Sequence, residues 1–178
     1  GYKGAFNPDI LSYHPKTKAF RQLTDYDGKD FWQTVDRKGN IYFVSDEKNG
    51  HHNLYTFENG RKTALTNFDS AIKRPSVSAG GDVVVFEKGY QIHLYKVAEK
   101  KSTVLPLELN RNPVLAKEQG FDTKDNISSF DVSPDGKKLA FISRGEIFVS
   151  DAEGKFVRQI HSSGERAFEV MWLSDNKT

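Results

Sequence analysis

A chain of 178 residues is long enough for one ordinary domain with a well-buried core and too short for two large ones, so a single unit is the first expectation. Hydrophobic residues at 37% and charged residues at 28% argue against a disordered chain, and no apolar run approaches the roughly 18 residues of a spanning helix. A formal charge of +2, with Lys and Arg scattered among Asp and Glu, offers no basic stripe for nucleic acid.

No long segment repeats its apolar residues at helical spacing, whereas aromatic and β-branched residues are frequent and turn dipeptides punctuate the chain, so strands are the organising element. From the N-terminus, "YKGAF", "DILSYH" and "FRQLT" read as three strands of an incomplete unit over residues 1–28. Three runs then anchor a repeat: "IYFV" from Ile41, "VVVF" over Val83–Phe86 with its anchor at Val84, and "LAFI" from Leu139. Nine positions before each anchor stands a bulky or rigid residue, Trp32, Pro75 and Phe130, marking a preceding strand. A further strand follows each anchor in "NLYTF", "HLYKV" and "IFVSD", and a last one closes near Leu65-Thr66, Leu105-Pro106 and Ile160-His161, at offsets of 24, 21 and 21 residues from the anchors.

Four antiparallel strands at a period of about 40 residues are the mark of a β-propeller blade. The anchors are apolar at nearly every position because the middle strands of a blade are covered on both faces. The expected organisation is all-β: a partial blade at 1–28, complete blades at 29–70, 71–109 and 125–165, a loop insertion at 110–124, and the first strand of a further blade at 166–178, where "FEVMWLSDNKT" parallels "FDVSPDGKK". The two partial blades are complementary, which fits a closed four-bladed ring or an arc of a larger one whose open edges would favour homo-oligomers.

Three phrases, "SPDGKKLAFISRGEIFV", "IYFVSDEKNGHHNLYTFENGRKTALTNF" and the opening "YKGAFNPDILSYHPKTKAFRQLTDYDGKDFW", closely resemble the propeller region of tricorn-type serine peptidases and, more distantly, TolB-like propellers. The resemblance covers nearly the whole chain. "VRQIHSS" in place of the usual R-x-L-T ending and "WLSDNK" in place of "WSPDGK" depart from the pattern without moving a strand. The resemblance implies an accessory, non-catalytic segment of a serine peptidase, scaffolding the assembly or guiding peptide to a catalytic domain outside this chain. Its partners would then be the parent's other domains and a peptide or protein ligand. The alternative is a TolB-like protein-binding module.

Chemistry on the propeller itself would sit where the innermost strands begin. The loops there supply Asp30, Asp69, Lys73, Arg74, Asp125 and Arg166. Lys73, Arg74 and Arg166 are the candidates for holding a peptide carboxylate, Arg bidentately and Lys as a point charge, against the alternative of a solvated rim of balanced charges. His51 and His52 adjoin one another, and neighbours on a strand face opposite ways, so no metal site is expected from them. With no cysteine there is no thiolate ligand or disulfide. No catalytic serine elbow, HExxH or phosphate loop occurs, so neither catalytic residues nor a cofactor are expected. "GYKGAFNPDI" lacks a signal-peptide core, leaving the compartment open between bacterial envelope and cytoplasm.

Overall fold

In the computed structural model, which describes residues 8–107, 127–160 and 165–173, the three anchor runs are the second strands of three four-stranded antiparallel sheets. The chain opens with a two-stranded sheet, β1 (Leu11–His14) and β2 (Ala19–Gln22). The first blade is β3 (Asp30–Val35), β4 (Ile41–Ser45), β5 (Asn53–Glu58) and β6 (Arg61–Ala64). The second is β7 (Ile72–Val77), β8 (Val83–Lys88), β9 (Gln91–Lys96) and β10 (Lys101–Val104). The third is β11 (Ile127–Val132), β12 (Lys138–Ser143), β13 (Glu146–Asp151) and β14 (Val157–Ile160). Strands neighbour one another in chain order within every sheet, and no helix occurs among the described residues.

Side chains that look ordinary in sequence set the ends of these strands. After the innermost strand, Asp36 Oδ1 accepts the N–H groups of Lys38 and Asn40, Ser78 Oγ those of Asp82 and Val83, and Ser133 Oγ that of Lys138. Asp and Ser are interchangeable here because each offers one short acceptor to a tight turn. At the other end, Thr24 Oγ1 accepts Ile10 N and Thr66 Oγ1 accepts Leu54 N, both at 2.9 Å. The Leu-Thr ending thus carries a buried hydroxyl that extends the ladder past β2 and β6.

Burial explains the unalternating anchors. Phe43, Val44, Val84, Val85, Phe86, Ala140, Phe141 and Ile142 are all essentially sealed from solvent. Contacts divide the chain into two compact units, residues 1–75 and 76–178. In the first, Ile10 beside the two-stranded sheet packs with Phe43 and Tyr55 of the first blade. In the second, Val83, Val85, Ile92 and Leu94 of the second blade form one cluster with Phe130, Val132, Leu139 and Phe141 of the third. The second strands β4, β8 and β12 are buried on both faces, and each large apolar side chain among them contributes roughly 1.5–3 kcal/mol by leaving water.

Of the strand expected at 166–178, the described residues 166–173 form none. No backbone ladder pairs residues 165–173; instead Val170 N donates to Ser129 Oγ and Trp172 N to Asp131 Oδ2, so the segment is tied to alternate side chains of β11. Ser76 Oγ also donates to Asp131, at 2.7 Å, so this one carboxylate joins β7, β11 and the C-terminal segment. The expected strand at 2–6 and the insertion at 110–124 lie outside the described residues.

His93 on β9 is buried and stacks on Phe86, ring centroids 5.6 Å apart. Burial, and then the nearby Lys88 charge, lower its pKa below the usual 6.5. The unfolded chain therefore takes up this proton at a higher pH than the native one. Stability from this group is fully present above about 6.5 and declines as pH falls toward the lowered native value. Denaturant midpoints measured across that window should fall more steeply for the wild type than for a His93→Leu variant.

Candidate functional site

Against the first blade, an open cleft of about 420 Å³ is lined by Asp25, Tyr26 and Asp27 of the segment after β2 and by Glu47, Phe57, Gly60 and Lys62 of the blade, among others. Lys62, on the outer strand β6, reaches inward across the blade. Its ammonium donates to both oxygens of Asp30 at 2.7 and 2.8 Å and pairs with Glu47 at 2.8 Å. The Asp30 side chain is 0% exposed and that of Lys62 15%, whereas Glu47 at 45% is largely solvated. The Lys62 ammonium also stands 4.5 Å from the Tyr26 ring centroid and 5.4 Å from that of Tyr55, within cation–π range.

The two tyrosines stay protonated here. Tyr26 titrates above its ordinary value because of desolvation first, then the negative charges of Asp46, Glu47, Asp30 and Asp27. Tyr55 is raised chiefly by burial, and its hydroxyl oxygen accepts Lys48 N at 2.9 Å. Gly28 is required beneath this group, since a Cβ there would run into the Tyr26 ring edge and the Asp46 carboxylate. Aromatic faces, phenol groups and carboxylates around one fixed ammonium suit polar and cationic groups of a ligand.

On β3 next to Asp30, the Phe31 ring lies 4.6 Å from that of Trp32 and meets the His52 ring edge-on at 5.0 Å, centroid to centroid. Burial lowers the His52 pKa below 6.5, with Asp46 opposing and Lys29 adding to the effect. Trp32 is 40% exposed and sits at φ 53° where the β3–β4 register shifts. Arg74 takes the equivalent place, four residues before the turn-capping Ser78 as Trp32 is four before Asp36, and has φ 51°. A bulky residue in the left-handed region costs roughly 1–3 kcal/mol and persists only where surrounding structure imposes it. The left-handed residue thus recurs at the same place on two successive innermost strands, β3 and β7, with a large side chain at each.

Of the residues selected from sequence, Lys73 and Arg74 are adjacent on β7, just after Ile72, whose N–H donates to His52 O at 2.9 Å. Lys73 is exposed; Arg74 is half-buried and already has a partner in the fold. Arg166 belongs to the other unit, where its side chain lies over Gly145 while Ala167 N donates to Gly145 O at 2.8 Å. Sequence reasoning missed Tyr26, Glu47 and Lys62 as site residues, along with the aromatic group of Phe31, Trp32 and His52. Among the described residues, no group of His, Asp and Glu side chains is arranged to hold a metal ion.

The model of one protein family, described as the lipoprotein LpqB beta-propeller domain, matches residues 33–177. The chain belongs to this family. The LpqB-type assignment agrees with the solved structures that share its fold. TolB from Acinetobacter baumannii superposes with a TM-score of 0.64 at 20% identity, over 92% of this chain and 40% of that one. The tricorn protease gives 0.51 at 22% identity, over 95% of this chain and 16% of that one. A putative TolB from Agrobacterium tumefaciens gives 0.57 at 14% identity, over 89% and 59%. This LpqB-type chain thus spans less than two thirds of each structure, and at such identities the likeness is one of fold. No curated protein sequence matches it.

Proposed function

We propose that this LpqB-type propeller segment is a non-catalytic binding module that takes up a stretch of another polypeptide. The observation that carries the reading is the open cleft around Lys62, whose aromatic and carboxylate wall is fixed by a buried ion pair and so is pre-organised for a ligand. Lys73 and Arg74 add cationic groups at the start of the neighbouring innermost strand, suited to a peptide carboxylate. In the parent protein the module would scaffold or guide peptide toward a serine-peptidase domain, as the resemblance to tricorn-type propellers implies. The TolB-like reading, in which the partner is a folded protein, stands beside it on the shared fold.

Titration calorimetry with a set of short peptides, followed by pull-down of folded partners, tests this. Saturable peptide binding that weakens about tenfold, roughly 1.4 kcal/mol, in Asp27→Ala or Lys73→Ala supports the first reading. One stoichiometric folded partner with no peptide binding supports the second. Binding that neither substitution alters removes both sites from the proposal, and serine-inhibitor-sensitive hydrolysis by the chain overturns its non-catalytic part.

A further inference from the structure

Asn-Gly occurs twice in the first blade, at Asn49-Gly50 and Asn59-Gly60, and all four residues are exposed. An asparagine amide before glycine is open to attack by the next backbone nitrogen, because no Cβ shields that nitrogen. The fold treats the two places differently. At Asn49, Oδ1 accepts His51 N at 3.0 Å and Asn53 Nδ2 at 3.3 Å, while Nδ2 donates to Phe68 O at 2.8 Å. The would-be nucleophile, Gly50 N–H, is itself committed to Asp46 O at 2.9 Å. Asn59-Gly60 is the two-residue tip of the β5–β6 hairpin, between Glu58 and Arg61, which pair with each other. There, neither the Asn59 amide nor the Gly60 N–H has a hydrogen-bond partner among the described residues.

We propose that Asn59 is a self-modifying site. The Gly60 nitrogen attacks Asn59 Cγ; the new N–Cγ bond forms as the Cγ–Nδ2 bond breaks, and ammonia leaves carrying the Gly60 amide proton. Water then opens the cyclic imide at either carbonyl, giving aspartate or isoaspartate, with no other reactant. The position gives this chemistry a consequence, because Gly60 and Lys62 both line the cleft. A carboxylate at position 59 lowers the formal charge from +2 to +1 (2 − 1) and adds to the acidic wall. The isoaspartyl product also inserts one backbone atom into a two-residue turn, which disturbs the Glu58–Arg61 pairing one residue from Lys62.

The test is to incubate the folded chain in mildly alkaline buffer and follow the tryptic peptide 49–61, which holds both sites, by fragmentation mass spectrometry. Conversion at Asn59 is expected to outpace that at Asn49 by at least about tenfold, since several hydrogen bonds must break before Asn49 can react. In denaturant the two rates should converge, which shows that the fold sets the difference. A ratio below about tenfold in the folded chain, or an unreacted Asn59 while the denatured chain converts, overturns the proposal.

Discussion

Replacing Phe141 with Ala is expected to cost about 3–5 kcal/mol of stability. Phe141 is 1% exposed on β12, stacks on Phe148 of β13 with ring centroids 5.3 Å apart, and packs in the cluster that joins the second and third blades. Its neighbours come from two sheets, each held by its own ladder, so neither can slide in to fill the space a missing ring leaves. The loss is therefore transfer free energy plus a cavity that persists. Against a total of about 5–15 kcal/mol for a typical domain, this is a large fraction. The denaturant midpoint should drop with the slope unchanged if the two blades still unfold together, and a reduced slope would mean that they have become independent. Phe156→Ala is the control: at 78% exposure it should stay within about 0.5 kcal/mol of wild type. A Phe141→Ala loss as small as the control's would show that blade-to-blade packing is not what stabilises this unit.

The same packing made the architecture legible before any coordinates. Because β4, β8 and β12 are covered on both faces, "YFV", "VVVF" and "LAFI" are apolar without alternation, and a run of that kind bounded by Asp-Gly, Asn-Gly and Gly-Gly turns has few other readings. The Leu-Thr endings were equally readable, since Thr66 has a specific task at the blade's edge. The division into two units was not legible. Each blade is made from contiguous chain, so contacts concentrate locally, and where the network thins depends on side-chain packing that strand spacing does not encode.

The site was legible only in part, and for identifiable reasons. Asp30 and Lys62 are 32 residues apart, and each alone reads as a solvated charge at a strand start or on an edge strand. Only the hairpin register, which sets Lys62 opposite Phe57, puts its ammonium within reach of Asp30. The left-handed backbone at Trp32 and Arg74 left no trace either, because sequence signals for positive φ rest on Gly, Asn and Asp, while these two residues are held there by tertiary context. Lys73, Arg74 and Arg166 were selected as cations in the loops entering the innermost strands; the first two lie on β7 itself, and Arg166 belongs to the other unit.

Lys62→Met is expected to destabilise the chain by about 3 kcal/mol, the lower end of what breaking a buried ion pair costs. The size follows from what is left behind. Asp30 is fully enclosed and would keep its carboxylate with no cation beside it, while Glu47, being largely solvated, would lose little. The 15% exposure of Lys62 and the access of water through the cleft argue for the lower end of the range. Met preserves an apolar stem of similar length while removing the ammonium that stands over the Tyr26 and Tyr55 rings, so the variant isolates charge from packing. A double variant, Lys62→Met with Asp30→Leu, should recover most of the loss, because removing both charges also removes the desolvation each one imposes. Equilibrium unfolding of the two single variants and the double yields a coupling energy for the pair, and its magnitude should change little with added salt, since the pair is shielded from counterions. If the Asp30→Leu and Lys62→Met losses simply add, the ammonium is held by Glu47 and the tyrosine rings, and the cleft wall is set by solvated groups instead of by a buried pair. Peptide affinity measured on the double variant then separates the two roles of Lys62: binding that survives recovery of stability assigns it to the wall's architecture, and binding that is lost assigns it to the ligand.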